Sequence, residues 1–284
     1  MNIARGKVGE LARTKWLVSL MGSRSFLKAI LFVFLGLQFV PSLLRGQTTV
    51  YKQFSPEFQL NKAVSQKWAV EFDLNSTFSN TPSEDKVFKT VIQGAGLVWA
   101  HFHFSPRWKF SSNLAYYLNN DQPEIGQFQS REWRFAVQSI YYINRKGFTL
   151  STRMRPEVRF VTNEAGTYQT VFRYREMLKY IQPINSKILR QGTVYLVASE
   201  ELLFRSTYKN TGIHHFDRNM FSLGGGYMIN DDLQIELAYT NEFIPRDSGD
   251  QLNNLTSFTL VTNNLFSNIH KRIKKLVTTP AEQE

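Results

Sequence analysis

The chain contains no cysteine. Disulfides, thiolate metal sites, cysteine nucleophiles and a lipid anchor on an N-terminal cysteine are thereby excluded. The hydrophobicity of a helical membrane protein is also missing: 42% of residues are hydrophobic, yet the mean hydropathy is only −0.30. No Gly-rich linker or low-complexity tract interrupts the body, and no helical period of 3.6 dominates it. Strong charge is absent from the body too. Of the net +11, a share of +6 sits in residues 1–46, where Arg5, Lys7, Arg13, Lys15, Arg24, Lys28 and Arg45 face only Glu10. The mildly basic remainder argues against nucleic-acid binding.

Aromatic residues are abundant: 23 Phe, 12 Tyr and 5 Trp. With so low a mean hydropathy, that abundance suits many amphipathic strands. Near the N-terminus, Arg24 and Lys28 precede an apolar core at 29–40, Pro41 breaks it, and Gly46 is a small residue before Gln47. These are the parts of a cleaved export signal. The core is shorter than the roughly 20 residues a membrane helix needs. Residues 1–46 are therefore expected to be a signal segment, with Met21 as its true start. Residues 47–266 form one domain, and 267–284 a basic tail.

From Thr48 onward the period is two. In residues 67–78, Trp68, Val70, Phe72, Leu74 and Phe78 alternate with Lys67, Glu71, Asp73, Asn75 and Thr77. In 148–160, Met154, Pro156, Val158 and Phe160 alternate with Arg153, Arg155, Glu157 and Arg159. Eleven such segments are expected, at 49–60, 67–78, 87–104, 107–118, 128–143, 148–161, 168–182, 191–205, 216–229, 233–244 and 253–266. Many exceed the usual 5–6 residues of a soluble strand and match the 9–11 needed to cross hydrocarbon. Short turns alternating with longer polar loops complete the pattern of an antiparallel, up-and-down transmembrane β-barrel. Bacterial barrels have even strand numbers, so ten or twelve strands are expected. A proline cannot donate to the ladder, which predicts a bulge or a missing hydrogen bond at Pro156.

The charged rows resemble a known family. An E-x-R strand stands at Glu132–Arg134, R-x-E-x-R at Arg155–Arg159, R-x-R at Arg173–Arg175, a Glu before an apolar triplet at Glu201, and F-D-x-N ahead of G-x-G-Y in residues 216–227. In this order they resemble DUF2490, a family of bacterial outer-membrane β-barrel proteins of no established activity. Where the family usually has Arg directly after that Asn, this chain has Met220, and Arg218 lies two positions earlier. The resemblance implies an outer-membrane barrel from a Gram-negative bacterium.

The candidate site is a charged lumenal network of Glu132, Arg134, Arg153, Arg155, Glu157, Arg159, Arg173, Arg175, Glu201 and Arg218. Such rows either fill a narrow barrel with ion pairs or line a pore that selects anions. No catalytic residue, metal or cofactor is expected. The histidine pairs His101/His103 and His214/His215 have no neighbouring ligands in sequence, and Ser105 beside His103 is the pair a hydrolase would need. Gly94, Gly96 and Gly224–Gly226 are expected at bulges or points of curvature. The expected partners are outer-membrane lipid, the barrel-assembly machinery during biogenesis and a small anionic solute. The alternatives are an outer-membrane lipid-modifying enzyme and a soluble periplasmic ligand-binding barrel.

Overall fold

The computed structural model describes residues 48–81, 85–120, 128–163, 165–206, 215–245 and 249–264. The expected signal segment, the basic tail and His214 lie outside them. The described chain is all-β: β1 (Thr48–Ala63), β2 (Trp68–Ser79), β3 (Thr90–His103), β4 (Trp108–Asn119), β5 (Ser130–Asn144), β6 (Thr149–Thr162), β7 (Tyr168–Pro183), β8 (Val194–Arg205), β9 (Phe216–Met228), β10 (Leu233–Ile244) and β11 (Asp250–Asn263). One 3-10 turn, Val87–Lys89, precedes β3. Consecutive strands pair antiparallel, and the sheet closes on itself where β1 meets β11.

Each of the eleven expected segments is a strand, so the expectation of ten or twelve is corrected. An odd count in an up-and-down barrel forces the first and last strands to run the same way. β1 and β11 accordingly pair in parallel, from Thr48 opposite Asp250 to Asn61 opposite Asn263. The barrel therefore has a turn end, carrying the β1–β2, β3–β4, β5–β6, β7–β8 and β9–β10 connections, and a loop end with the others. Thr48 lies at the loop end, Asn264 at the turn end. Asn264 adopts φ 53°, donates its backbone N–H to Asn61 O at 2.8 Å and accepts Ala63 N–H at its side chain, also at 2.8 Å. It clasps the parallel seam at its exit. The turn end is less uniform than expected, because residues 184–193 make a longer connection. Asn185 braces it by accepting from Val194 N at 2.9 Å and donating to Gly192 O at 2.8 Å.

The period of two sends opposite chemistry to opposite faces. Outside lie exposed Val70, Phe72, Leu74, Val98, Leu114, Phe135, Val137 and Met154. Aromatic contacts gather at both ends of this wall. Trp68–Phe102, Trp108–Phe110 and Trp108–Tyr141 sit at the turn end, and Tyr116–Trp133 and Phe204–Phe216 at the loop end. Inside lie buried polar groups, among them Glu132, Glu157, Arg173, Glu201 and Asp217.

The two prolines inside strands, Pro56 of β1 and Pro156 of β6, reveal how the wall tolerates a missing donor. The β5–β6 register is the same on both sides of Pro156, but its ladder passes from the pair Ala136–Glu157 directly to Ser139–Met154. Pro56 leaves the same gap between Phe54–Phe78 and Glu57–Asn75. Each is a missing hydrogen bond, not a bulge. Lumenal side chains cross both gaps: Arg155 Nε donates to Gln138 Oε1 at 2.9 Å, and Ser55 Oγ to Ser76 O at 3.0 Å.

Bulges occur elsewhere, beside Thr77, Tyr142 and Leu203. The register through Gly224–Gly226 is unbroken, so of the two expected roles, bulge or point of curvature, the bulge is excluded there. Those glycines answer a close approach. A Cβ on Gly226 would overlap the ring of Tyr195, a fully buried side chain whose hydroxyl donates to Glu236 Oε2 at 2.9 Å. A Cβ on Gly94 would meet open space.

Gly226→Ala should therefore destabilise the barrel by about 1–3 kcal/mol through overpacking, while Gly94→Ala should be near neutral. Denaturant unfolding of the purified protein, read by circular dichroism, measures both.

Candidate functional site

An inward guanidinium on one strand meets a carboxylate on the next because adjacent strands lie about 4.8 Å apart. Glu132 on β5 is fully buried and is gripped by two arginines in fork geometry. Arg159 of β6 donates through Nε at 2.5 Å and Nη2 at 2.8 Å; Arg134 donates through Nε, and through Nη2 at 3.1 Å. Glu157 on β6 accepts from Arg173 Nε at 2.7 Å and Arg175 Nη1 at 3.2 Å on β7, with Arg155 Nη1 at 4.0 Å. Glu201 on β8 receives Arg175 through Nε at 2.6 Å and Nη2 at 2.9 Å, together with Arg153 Nη2. These bidentate pairs fix both register and side-chain plane.

The structure thus joins all ten residues singled out in sequence into ion pairs or hydrogen bonds on the lumenal side of β5–β9. It adds Asp217, which lies near Arg173 at 3.7 Å, Arg205 at 3.3 Å and Arg218 at 3.5 Å. It also adds Glu242, which takes Arg218 Nη1 at 2.6 Å and Asn253 Nδ2 at 2.5 Å. Strict alternation sends Asp217 and Arg218 to opposite faces. The bulge beside Leu203 turns both inward, so alternation alone misses Asp217. Two aromatic faces complete the wall: Arg134 stacks on Tyr117 at 3.5 Å and Arg155 on Trp99 at 4.7 Å.

Among the described residues of this network, Arg134, Arg153, Arg155, Arg159, Arg173, Arg175, Arg205 and Arg218 meet Glu132, Glu157, Glu201, Asp217 and Glu242. Cations outnumber anions by three. Carboxyl groups recur on the facing wall, at Glu57 of β1 and Glu71 and Asp73 of β2, and Glu236 lies on β10 beside the network. In a ring of eleven strands, β1 and β2 stand across the lumen from β6 and β7. The lumen therefore has a basic side and an acidic side.

The histidines separate. His103 is exposed, and Ser105 instead accepts the turn N–H groups of Arg107 at 3.3 Å and Trp108 at 3.1 Å. His101 is buried, with Nδ1 2.8 Å from Ser111 Oγ and Nε2 3.4 Å from Glu71 Oε2. Sequence spacing cannot bring Ser111 to His101; the β3–β4 register does. Among the described residues, no three His, Asp or Glu side chains converge in a group that could hold a metal.

Glu132→Gln should be costly, since it leaves Arg134 and Arg159 half-buried beside each other without a carboxylate. A loss of about 3–5 kcal/mol is expected. Adding Arg159→Met should restore part of it, and paired denaturant titrations of the two variants read the difference.

Comparison with known proteins agrees with this geometry as far as family. Among curated proteins none matches the chain. A solved structure described as "Bacterial polysaccharide outer membrane secretin" is similar at a TM-score of 0.43 and 11% identity, over 68% of this chain and 63% of that one. The chain thus spans less than two thirds of that protein. The family model "Protein of unknown function (DUF2490)" matches residues 53–253, most of the barrel. The chain belongs to the DUF2490 family.

Proposed function

We propose that the protein is a non-enzymatic outer-membrane β-barrel of a Gram-negative bacterium, inserted among outer-membrane lipids by the barrel-assembly machinery. Its lumen is a narrow, charged conduit that favours small anions. The inversion of the usual fold carries this reading: an exposed apolar wall between two aromatic zones surrounds a buried interior rich in arginine. Hydrocarbon accepts such an exterior, whereas water would face a large continuous apolar surface. The guanidinium rows of β5–β9 supply the anion preference along the basic side of the lumen.

One observation favours an enzyme instead. Ser111, His101 and Glu71 stand in line near the turn end, as a lipid-modifying hydrolase would require. Against it, Ser111 and His101 are only 7% and 5% exposed, and the carboxylate stands 3.4 Å away, beyond a good hydrogen bond.

Three measurements decide. The protein should fractionate with outer membranes as a heat-modifiable band; recovery from the soluble periplasm would sink the membrane reading in favour of a periplasmic binding barrel. Refolded into planar bilayers, it should pass small currents whose reversal potential under a salt gradient favours the anion. Arg153→Gln with Arg155→Gln should shift that potential toward zero. Silence or cation preference would overturn the conduit. A fluorophosphonate should label neither wild type nor Ser111→Ala; labelling of wild type alone would establish the hydrolase.

A further inference from the structure

The exposed wall is apolar on every strand, but one band crossing β7–β11 is not. The registers align Leu178, Glu200, Phe221, Asn241 and Asn254 in one row across the strands. The adjacent row aligns Glu176, Leu202, Asn219 and Phe243. Alternation places Glu176, Glu200, Asn219, Asn241 and Asn254 on the outward side, because Arg175, Glu201, Arg218, Glu242 and Asn253 point into the lumenal network; Glu200 is itself buried, with Asn219 donating to it. Apolar residues flank the band on both sides, Phe204 toward the loop end and Leu223, Leu237 and Phe258 toward the turn end, all exposed. The band therefore lies within the apolar wall and not at its polar rim.

Its hydrogen bonds are incomplete within one chain. Asn219 Nδ2 donates to Glu200 Oε1. Tyr239 Oη and Asn241 Nδ2 both donate to Asn254 Oδ1, at 2.7 and 3.1 Å. That leaves Asn241 Oδ1 as an acceptor and Asn254 Nδ2 as a donor, with no partner among the described residues. They sit on directly opposed positions of β10 and β11. A neighbouring acceptor and donor form a self-complementary pair under two-fold rotation.

We propose that this band is a homodimer interface, in which Asn254 of each copy donates to Asn241 of the other. The proposal rests on the membrane reading above. Acyl chains offer amides no hydrogen bond, so polar groups in the apolar wall favour association between proteins. A second copy, related by a two-fold axis along the membrane normal, presents the same amides at the same depth. The contact is isologous and closes at two copies.

The cysteine-free chain makes the test clean. Leu223→Cys places a sole thiol beside the band; Leu114→Cys places one on β4, across the barrel. A short bismaleimide applied to native outer membranes should give at least tenfold more dimer from Leu223→Cys. Adding Asn241→Leu and Asn254→Leu should lower that dimer about tenfold while the monomer stays heat-modifiable. Equal cross-linking of the two thiols, or cross-linking indifferent to the leucine changes, overturns the interface and leaves the membrane reading intact. Recovery of the protein from the soluble periplasm overturns both.

Discussion

The pairing of arginine with carboxylate inside the barrel is the interaction on which the rest depends. A barrel whose apolar residues mostly face outward has only small inward apolar clusters, around Tyr117 and Tyr195, to hold its shape, and small barrels fill their interiors with side chains. Here those side chains are charged, so each must find a partner or bear a large desolvation cost. Glu157 and Glu201 share Arg175 between them, while Arg173 joins Glu157 to Asp217. Strands β6 to β9 are thereby tied by a continuous network, and slippage of one strand by a single residue would turn a whole row of guanidiniums outward. Register is thus specified by charge where a soluble barrel would specify it by packing.

The same logic explains why an odd strand count is tolerated. The parallel seam between β1 and β11 lies across the lumen from the guanidinium row of β6, and the network reaches the seam strands only at its end, where Asn253 of β11 donates to Glu242. What closes there is backbone pairing over the whole of the seam, from Thr48 to Asn61. Its exit is held by Asn264, in a left-handed conformation that asparagine tolerates. At Thr259, a hydroxyl 3.4 Å from Glu57 makes a weaker link across the seam.

Much of this was legible in the sequence because period two is a strong signal over 12 or more residues. The faces of Arg153, Arg155, Glu157 and Arg159 follow from alternation alone; the resemblance to the family rests instead on the order of the charged motifs. Alternation fails wherever a strand gains a residue. The bulge beside Leu203 hid the inward direction of Asp217, although the F-D-x-N motif contains that residue. The strand count was misjudged for a different reason: evenness is a rule about where termini emerge, not about whether eleven strands can close. The role of Gly226 was invisible as well, because Tyr195, the ring it accommodates, is 31 positions away and arrives through the β8–β9 register.

Proline shows most directly how interior and wall cooperate. In a sheet it removes a ladder hydrogen bond and is ordinarily confined to edges, yet a closed barrel has no edge on which to put it. Pro56 and Pro156 both point outward, and in each case the neighbouring lumenal residue reaches across the opening, Ser55 to Ser76 and Arg155 to Gln138. An apolar interior could not make that repair, since it has no donor to offer. The polar lumen therefore acts as a second, side-chain ladder behind the backbone one. It permits the wall to carry residues chosen for their fit to hydrocarbon, even where they break the main-chain pattern.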